Sequence, residues 1–194
     1  MSKVILEFSI SLDGFIAGPD ISADHPMGRG GERLHEWMFS PDRDDLDRDM
    51  AREISAVVGA VILGRRTFDI GVGIWEDTPY PAPSFVLTHR PREPLAMKSA
   101  KFTFVTQGIE AALDQARQAA GDKYIVVMGA DAAGQFLAAG LVDEIRIQLV
   151  PVLLGAGTRL FSGGGRIALT AVRTIPSSSV THLRFEVERP KRSL

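Results

Sequence analysis

The chain has 194 residues, 45% of them hydrophobic and 24% charged, with a formal net charge of −2 and no cysteine. That length holds one sizeable core, and the near-neutral balance gives no basic field for nucleic acid. Without cysteine, disulfides and thiolate chemistry are excluded, and only four histidines remain as nitrogen ligands, so no metal site is expected.

Met1 to Ile10 reads as a buried strand, with Val4, Ile5, Leu6, Phe8 and Ile10 apolar. Asp13-Gly14 interrupts it, Phe15-Ile16-Ala17 resumes apolar, and Gly18-Pro19-Asp20 ends the run. No signal-peptide core precedes this strand, and no apolar stretch approaches the ~20 residues that span a bilayer. A soluble cytoplasmic protein with no membrane partner is expected. Pro19 to Gly31 is rich in Asp, Pro and Gly and reads as a loop. Glu32 to Phe39 fits a short helix or turn ended by Ser40-Pro41. Asp42 to Ile54 places Leu46, Met50 and Ile54 on one helical stripe, its charges forming a solvated face with no chemistry assigned.

Further strands are expected at Val57–Leu63, Ser84–Thr88, Phe102–Val105 and Tyr124–Met128. Helices are expected at Ile109–Ala120, with Leu113 and Ala116 inward, and at Ala132–Ala139. Ile145–Leu154 reads as a long strand and Leu183–Glu188 as a final antiparallel one. Alternating strands and helices predict one α/β domain, residues 1–190 with a tail at 191–194. Its sheet is mixed but mostly parallel, flanked by helices, with antiparallel strands finishing the C-terminal edge.

In parallel sheets, ligands bind beyond the carboxyl ends of the strands, where helix N-termini offer N–H groups to anions. Three strand ends carry suitable residues. Gly64-Arg65-Arg66-Thr67 offers a close turn, two guanidiniums and a helix-capping hydroxyl, and equally fits a plain capped helix with surface arginines. Thr88-His89-Arg90 could hold a phosphate monoester, or form a polar turn before Pro91. Gly129-Ala130-Asp131-Ala132 permits a pyrophosphate to approach a helix N-terminus, with Asp131 either capping the helix or repelling the anion. The Rossmann G-x-G-x-x-G spacing is absent. Basic clusters at Arg65-Arg66, His89-Arg90-Arg92 and Lys191-Arg192 suit a phosphorylated small molecule better than a polymer.

The succession Ser11-Leu-Asp13-Gly14-Phe-Ile-Ala17, Leu63–Phe68, Gly129–Leu137, Gly140–Glu144 and Val150–Phe161 resembles the dihydrofolate-reductase-like superfamily. More narrowly, it is similar to the reductase domain of the bacterial riboflavin-biosynthesis deaminase/reductase. The resemblance runs from about Val4 to Glu188 and implies a mixed sheet of about eight strands that binds NADPH across its strand ends. It implies that Gly64, Arg65 and Thr67, with Arg66 beside them, match the cofactor-phosphate loop, and that Thr88, His89 and Arg90 hold the adenosine 2′-phosphate. Gly129, Ala130, Asp131 and Ala132 would match the pyrophosphate turn, and Ile16 and Ala17 the loop against the nicotinamide.

Two departures stand out. Glu32 and Glu36 are available where dihydrofolate reductases carry a proton-donating acid, but the surrounding Trp/Pro pattern is missing, which argues against folate. The zinc deaminase half is absent. The expected activity is an NADPH-dependent reductase of a small heterocyclic or carbonyl compound, resembling 5-amino-6-(5-phosphoribosylamino)uracil reductase. Asp13 and Glu36 are the candidate catalytic acids, though Asp13-Gly14 fits a simple turn as well. Trp37 and Trp75 would line the pocket or join the core. The alternatives are a non-catalytic nucleotide or flavin binder on the same fold, or a divergent dihydrofolate reductase. A homodimer pairing through the Asp143–Leu154 strand is expected.

Overall fold

The structure, a computed structural model, describes residues 2–163 and 165–188. The expected 191–194 tail, with Lys191-Arg192, lies outside the described residues.

The first strand, β1 (Val4–Ser11), turns at Asp13-Gly14 into the short β2 (Phe15–Ala17). A 3-10 turn (Gly31–His35) runs into α1 (Glu36–Phe39), and α2 (Asp45–Val57) passes directly into β3 (Val58–Gly64) and α3 (Arg65–Gly71). Then follow β4 (Ser84–Leu87), β5 (Leu95–Ala96), β6 (Lys101–Val105), α4 (Ile109–Ala120), β7 (Tyr124–Met128) and α5 (Ala130–Ala138). The chain ends with β8 (Glu144–Val150), β9 (Thr158–Arg159), β10 (Leu169–Pro176) and β11 (Thr181–Val187).

Nine strands form one sheet in the order β10-β11-β8-β1-β7-β3-β4-β6-β5. The six from β8 to β6 are parallel, and antiparallel strands close both edges. This is the mixed, mostly parallel α/β sheet expected. The central strands are apolar on both faces because helices cover both. Leu6, Ile62 and Val127 pack with α4 and α5, while Ile5, Leu63 and Val126 pack with Ile54 of α2 and Phe68 of α3. No helix among the described residues is long and apolar enough to cross a membrane.

Several expected boundaries shift. The strand expected over Ile145–Leu154 stops at Val150 because Pro151 has no N–H to donate to a ladder. It also lies between β1 and β11, so both of its edges are filled and it cannot pair with a second copy. On α2 the buried stripe runs through Asp47 and Ile54, and Leu46 is exposed. Asp47 is buried because its Oδ1 lies 2.8 Å from Nε2 of His182 on β11, so the charged face is not wholly solvated. Neither Thr67 nor Asp131 caps a helix. Those helices begin earlier, directly after Gly64 and Gly129, which leaves both residues inside the first turn.

Candidate functional site

The carboxyl ends of β3, β4, β6 and β7 open onto one cleft of about 710 Å³, within the size range of small-molecule and cofactor sites. At the end of β3, Gly64, Arg65, Arg66 and Thr67 line it. The Arg65 Nε donates to both oxygens of Asp69, 2.8 and 2.9 Å away and one helical turn on. That leaves Arg66 as the guanidinium without an ion pair there among the described residues. At the end of β4, the Arg90 N–H donates to Thr88 Oγ1 at 3.1 Å. This closes a tight turn that presents His89 and Arg90 on the cleft. Thr88 therefore serves the turn through its own hydroxyl.

At the end of β7, Gly129 has φ 90°, and a Cβ there would stand 2.5 Å from Thr67 Oγ1. Only glycine lets the β7–α5 turn come this close to α3. Ala130, Asp131 and Ala132 follow it around the cleft. No side chain caps α5, so its first N–H groups have no side-chain acceptor at the N-cap. The same holds at a fourth strand end missing from the sequence reading, where Thr106, Gly108 and Ile109 lead from β6 into α4. Gly108, at φ 94° directly before an Ala-rich helix, is the signal that marks this end.

Ile16 and Ala17 of β2 form the opposite wall. The expected 19–31 loop folds back beside them, the Gly18 N–H donating to the Met27 carbonyl at 2.8 Å, and presents Ile21, Pro26 and Met27. Trp75 also lines the cleft, stacked on Phe102 at 6.1 Å. Trp37 instead belongs to the core beneath α1, its indole N–H donating to Ser9 Oγ at 2.8 Å.

Every residue expected to hold a cofactor thus surrounds one cleft, whereas neither expected catalytic acid lines it. Glu36 is exposed and paired with Arg33. Asp13 is spent on structure. Its Oδ1 accepts from Ser11 Oγ at 2.6 Å and from the Leu154 N–H at 3.1 Å, and its Oδ2 from the Gly155 N–H at 2.7 Å. The Ser11 hydroxyl foremost, then these two N–H groups, hold its carboxyl below the usual carboxylate range. Arg159 donates to the Asp13 carbonyl at 2.9 Å and lies over the Phe15 ring at 4.3 Å. Asp13 is therefore a positioning residue that ties the β1–β2 turn to the 154–159 segment and fixes Ile16 and Ala17.

The family model of the RibD C-terminal domain matches residues 2–183. The uncharacterized protein YwjB of Bacillus subtilis (strain 168) is 28% identical over 162 residues, 82% of each chain. Among solved structures, a putative riboflavin biosynthesis protein from Shewanella sp. PV-4 has a TM-score of 0.75 at 24% identity, covering 97% of this chain and 100% of that one. Dihydrofolate reductase from Enterococcus faecalis, complexed with NADP(H), has a TM-score of 0.63 at 14% identity over 96% and 97%. At such identities these two likenesses show the fold.

Proposed function

The chain belongs to the RibD C-terminal domain family, and from that membership we propose that it is a cytoplasmic, NADPH-dependent reductase of a small heterocyclic or carbonyl compound. The observation that carries this reading is the convergence of all thirteen residues expected at the cofactor on one cleft at four parallel strand ends. The residues present fit a dinucleotide. The uncapped N-termini of α4 and α5 suit a pyrophosphate, and the glycine cradle at Gly129 would be filled by any Cβ. Arg66, His89 and Arg90 would take the 2′-phosphate, Arg66 and Arg90 through charge-assisted bonds. Ile16 and Ala17 give the nicotinamide an apolar wall that excludes water from its reacting face. When bound, the cofactor supplies a hydride; this chain's part is to orient it through the clamp at Asp13, which holds that wall in place.

The test is the midpoint of thermal unfolding with NADPH against NADH. NADPH should raise it more, because binding stabilises in proportion to affinity. Arg66→Ala and Arg90→Ala should each weaken NADPH about tenfold, with little effect on NADH. Equal shifts with the two cofactors would remove the 2′-phosphate site from the proposal.

One observation favours a second reading. Neither Asp13 nor Glu36 reaches the cleft, so a nucleotide-binding protein without turnover is the alternative. Tight NADPH binding with no NADPH oxidation across pterins, pyrimidines and carbonyl compounds would decide for it. A reductase turns over at least one class, its product oxygen or nitrogen taking a proton from water.

A further inference from the structure

The charges around the cleft also specify what accompanies the cofactor. Among the described residues its lining basic side chains are Arg65, Arg66, His89 and Arg90, all at the ends of β3 and β4. Arg65 spends only its Nε–H on Asp69, so Arg66, His89 and Arg90, with the remaining N–H groups of Arg65, offer one anion subsite. On the reading above, the cofactor's 2′-phosphate occupies it.

The rest of the cleft carries no further basic side chain among the described residues: Asp69, Asp131 and Gln135 line it, and much of the remainder is apolar. Ile21, Pro26 and Met27 face it from the folded-back loop, and Ile70, Ile74 and Trp75 from the far end of α3 and the turn beyond. Ile70 lies one helical turn beyond Arg66 on α3, and Ile74 and Trp75 follow past the end of the helix, so the wall adjoins the cations at one end and continues beyond them. Ile74 is 55% exposed, and beside Ile70 and Trp75 it leaves apolar surface that a ligand in the cleft can cover. Trp75 is held as a platform. Its indole lies so close to Gly71 that a Cβ there would come within 2.2 Å, and it stacks on Phe102 with 15° between the rings.

The cations nearest Ile16, Ala17 and the loop are engaged elsewhere. Arg29 is 3.5 Å from Asp20, and Arg159 is committed to the Asp13 carbonyl and the Phe15 ring. Neither lines the cleft. Among the described residues no other basic side chain lines the cleft, so once the cofactor's phosphate takes this subsite a phosphorylated substrate meets the apolar wall without a counter-charge, which disfavours it.

We infer that the substrate is an uncharged, flat aromatic carbonyl compound that packs on the Ile70–Ile74–Trp75 wall, not a sugar phosphate. This rests on the NADPH-dependent reading. The carbonyl carbon accepts the hydride from the dihydronicotinamide, the C=O π pair moves to oxygen, and oxygen takes a proton from water. An alcohol and the oxidised cofactor leave.

Calorimetric titration into protein saturated with NADP⁺ tests the idea without turnover. Isatin is flat and uncharged, isatin-5-sulfonate is the same ring bearing one anion, and 5-amino-6-(5-phosphoribosylamino)uracil carries a sugar phosphate. Isatin should bind at least tenfold more tightly than either. Ile74→Arg, at an exposed position that tolerates substitution, should raise the affinity for the sulfonate about tenfold and narrow the gap. The inference is overturned if either anionic compound binds wild-type protein as tightly as isatin, or if isatin does not bind. A protein that shows the NADPH thermal shift but prefers the anions retains the cofactor reading and loses only the substrate class. A protein without that shift loses the cofactor reading first, and with it the premise of the charge count.

Discussion

Glu7 sits on the face of β1 that α2 covers. Its Oε1 accepts from Gln148 Nε2 at 2.6 Å, while Oε2 is enclosed with no protein donor. It borders a chamber of about 30 Å³ shared with Glu53, Arg146, His182 and Arg184, and it is coupled electrostatically to Glu144 and Tyr80. Burial pushes its carboxyl up to about 7, and the Arg146 guanidinium opposes this only in part. In the unfolded chain the group ionises near 4.5, so between the two values the native state holds the extra proton. The contribution of Glu7 to stability therefore falls as pH rises through that window, by about 3 kcal/mol once pH exceeds 7. Urea unfolding at pH 5 and pH 8 checks this. Glu7→Gln should flatten the difference, and an unchanged pH dependence would sink the assignment. Asp13 shows the opposite environment. In sequence, Asp13-Gly14 reads as a substrate-side acid or as a turn, the first favoured by the family resemblance. Two of its partners lie 141 and 142 positions away, beyond any local pattern.

At the scale of elements, the cleft depends on two segments crossing at close range. β2 pairs with β9, and beside this pair Gly157, at φ 137°, passes so near that a Cβ would fall 2.0 Å from the Ala17 carbonyl oxygen. Gly157→Ala should cost about 2–4 kcal/mol in urea unfolding and weaken cofactor binding, because the wall at Ile16 and Ala17 moves with it. Gly134, inside α5 with open space around its Cβ position, is the contrast. Gly134→Ala should stabilise by up to ~1 kcal/mol. If both substitutions proved neutral, the crossing would not be the constraint described. The elements themselves were largely legible: α4 and β7 occupy Ile109–Ala120 and Tyr124–Met128 as their periodicity predicts. The α2 stripe was not, because periodicity chose Leu46 while a histidine from β11 drew in Asp47.

For the whole molecule, the strand order decides which surfaces remain free. β8 is interior, so the expected dimer cannot form through it. We propose that the protein is nonetheless a homodimer, through the outer strand β10, whose Leu169 and Val172 are exposed. A bulge between Ala171 and Arg173 and the terminal Pro176 blunt that edge for strand pairing, which leaves side-chain packing as the contact. Sedimentation should give twice the chain mass, and Val172→Asp should halve it. A single-chain mass for the wild type rules the dimer out.

The sequence by itself determined the α/β class, most strand and helix positions, and many of the residues around the cleft at the strand ends. Those are written in local apolar periodicity and in glycines beside cations at strand ends. Tertiary structure alone decided which groups remain available. Asp13 is consumed by backbone N–H groups from far along the chain, and Asp47 by His182. It also brought the apolar loop and the end of α3 onto one cleft. The reason is physical. A residue's type sets what it can bond, but only the folded chain sets which partner reaches it first.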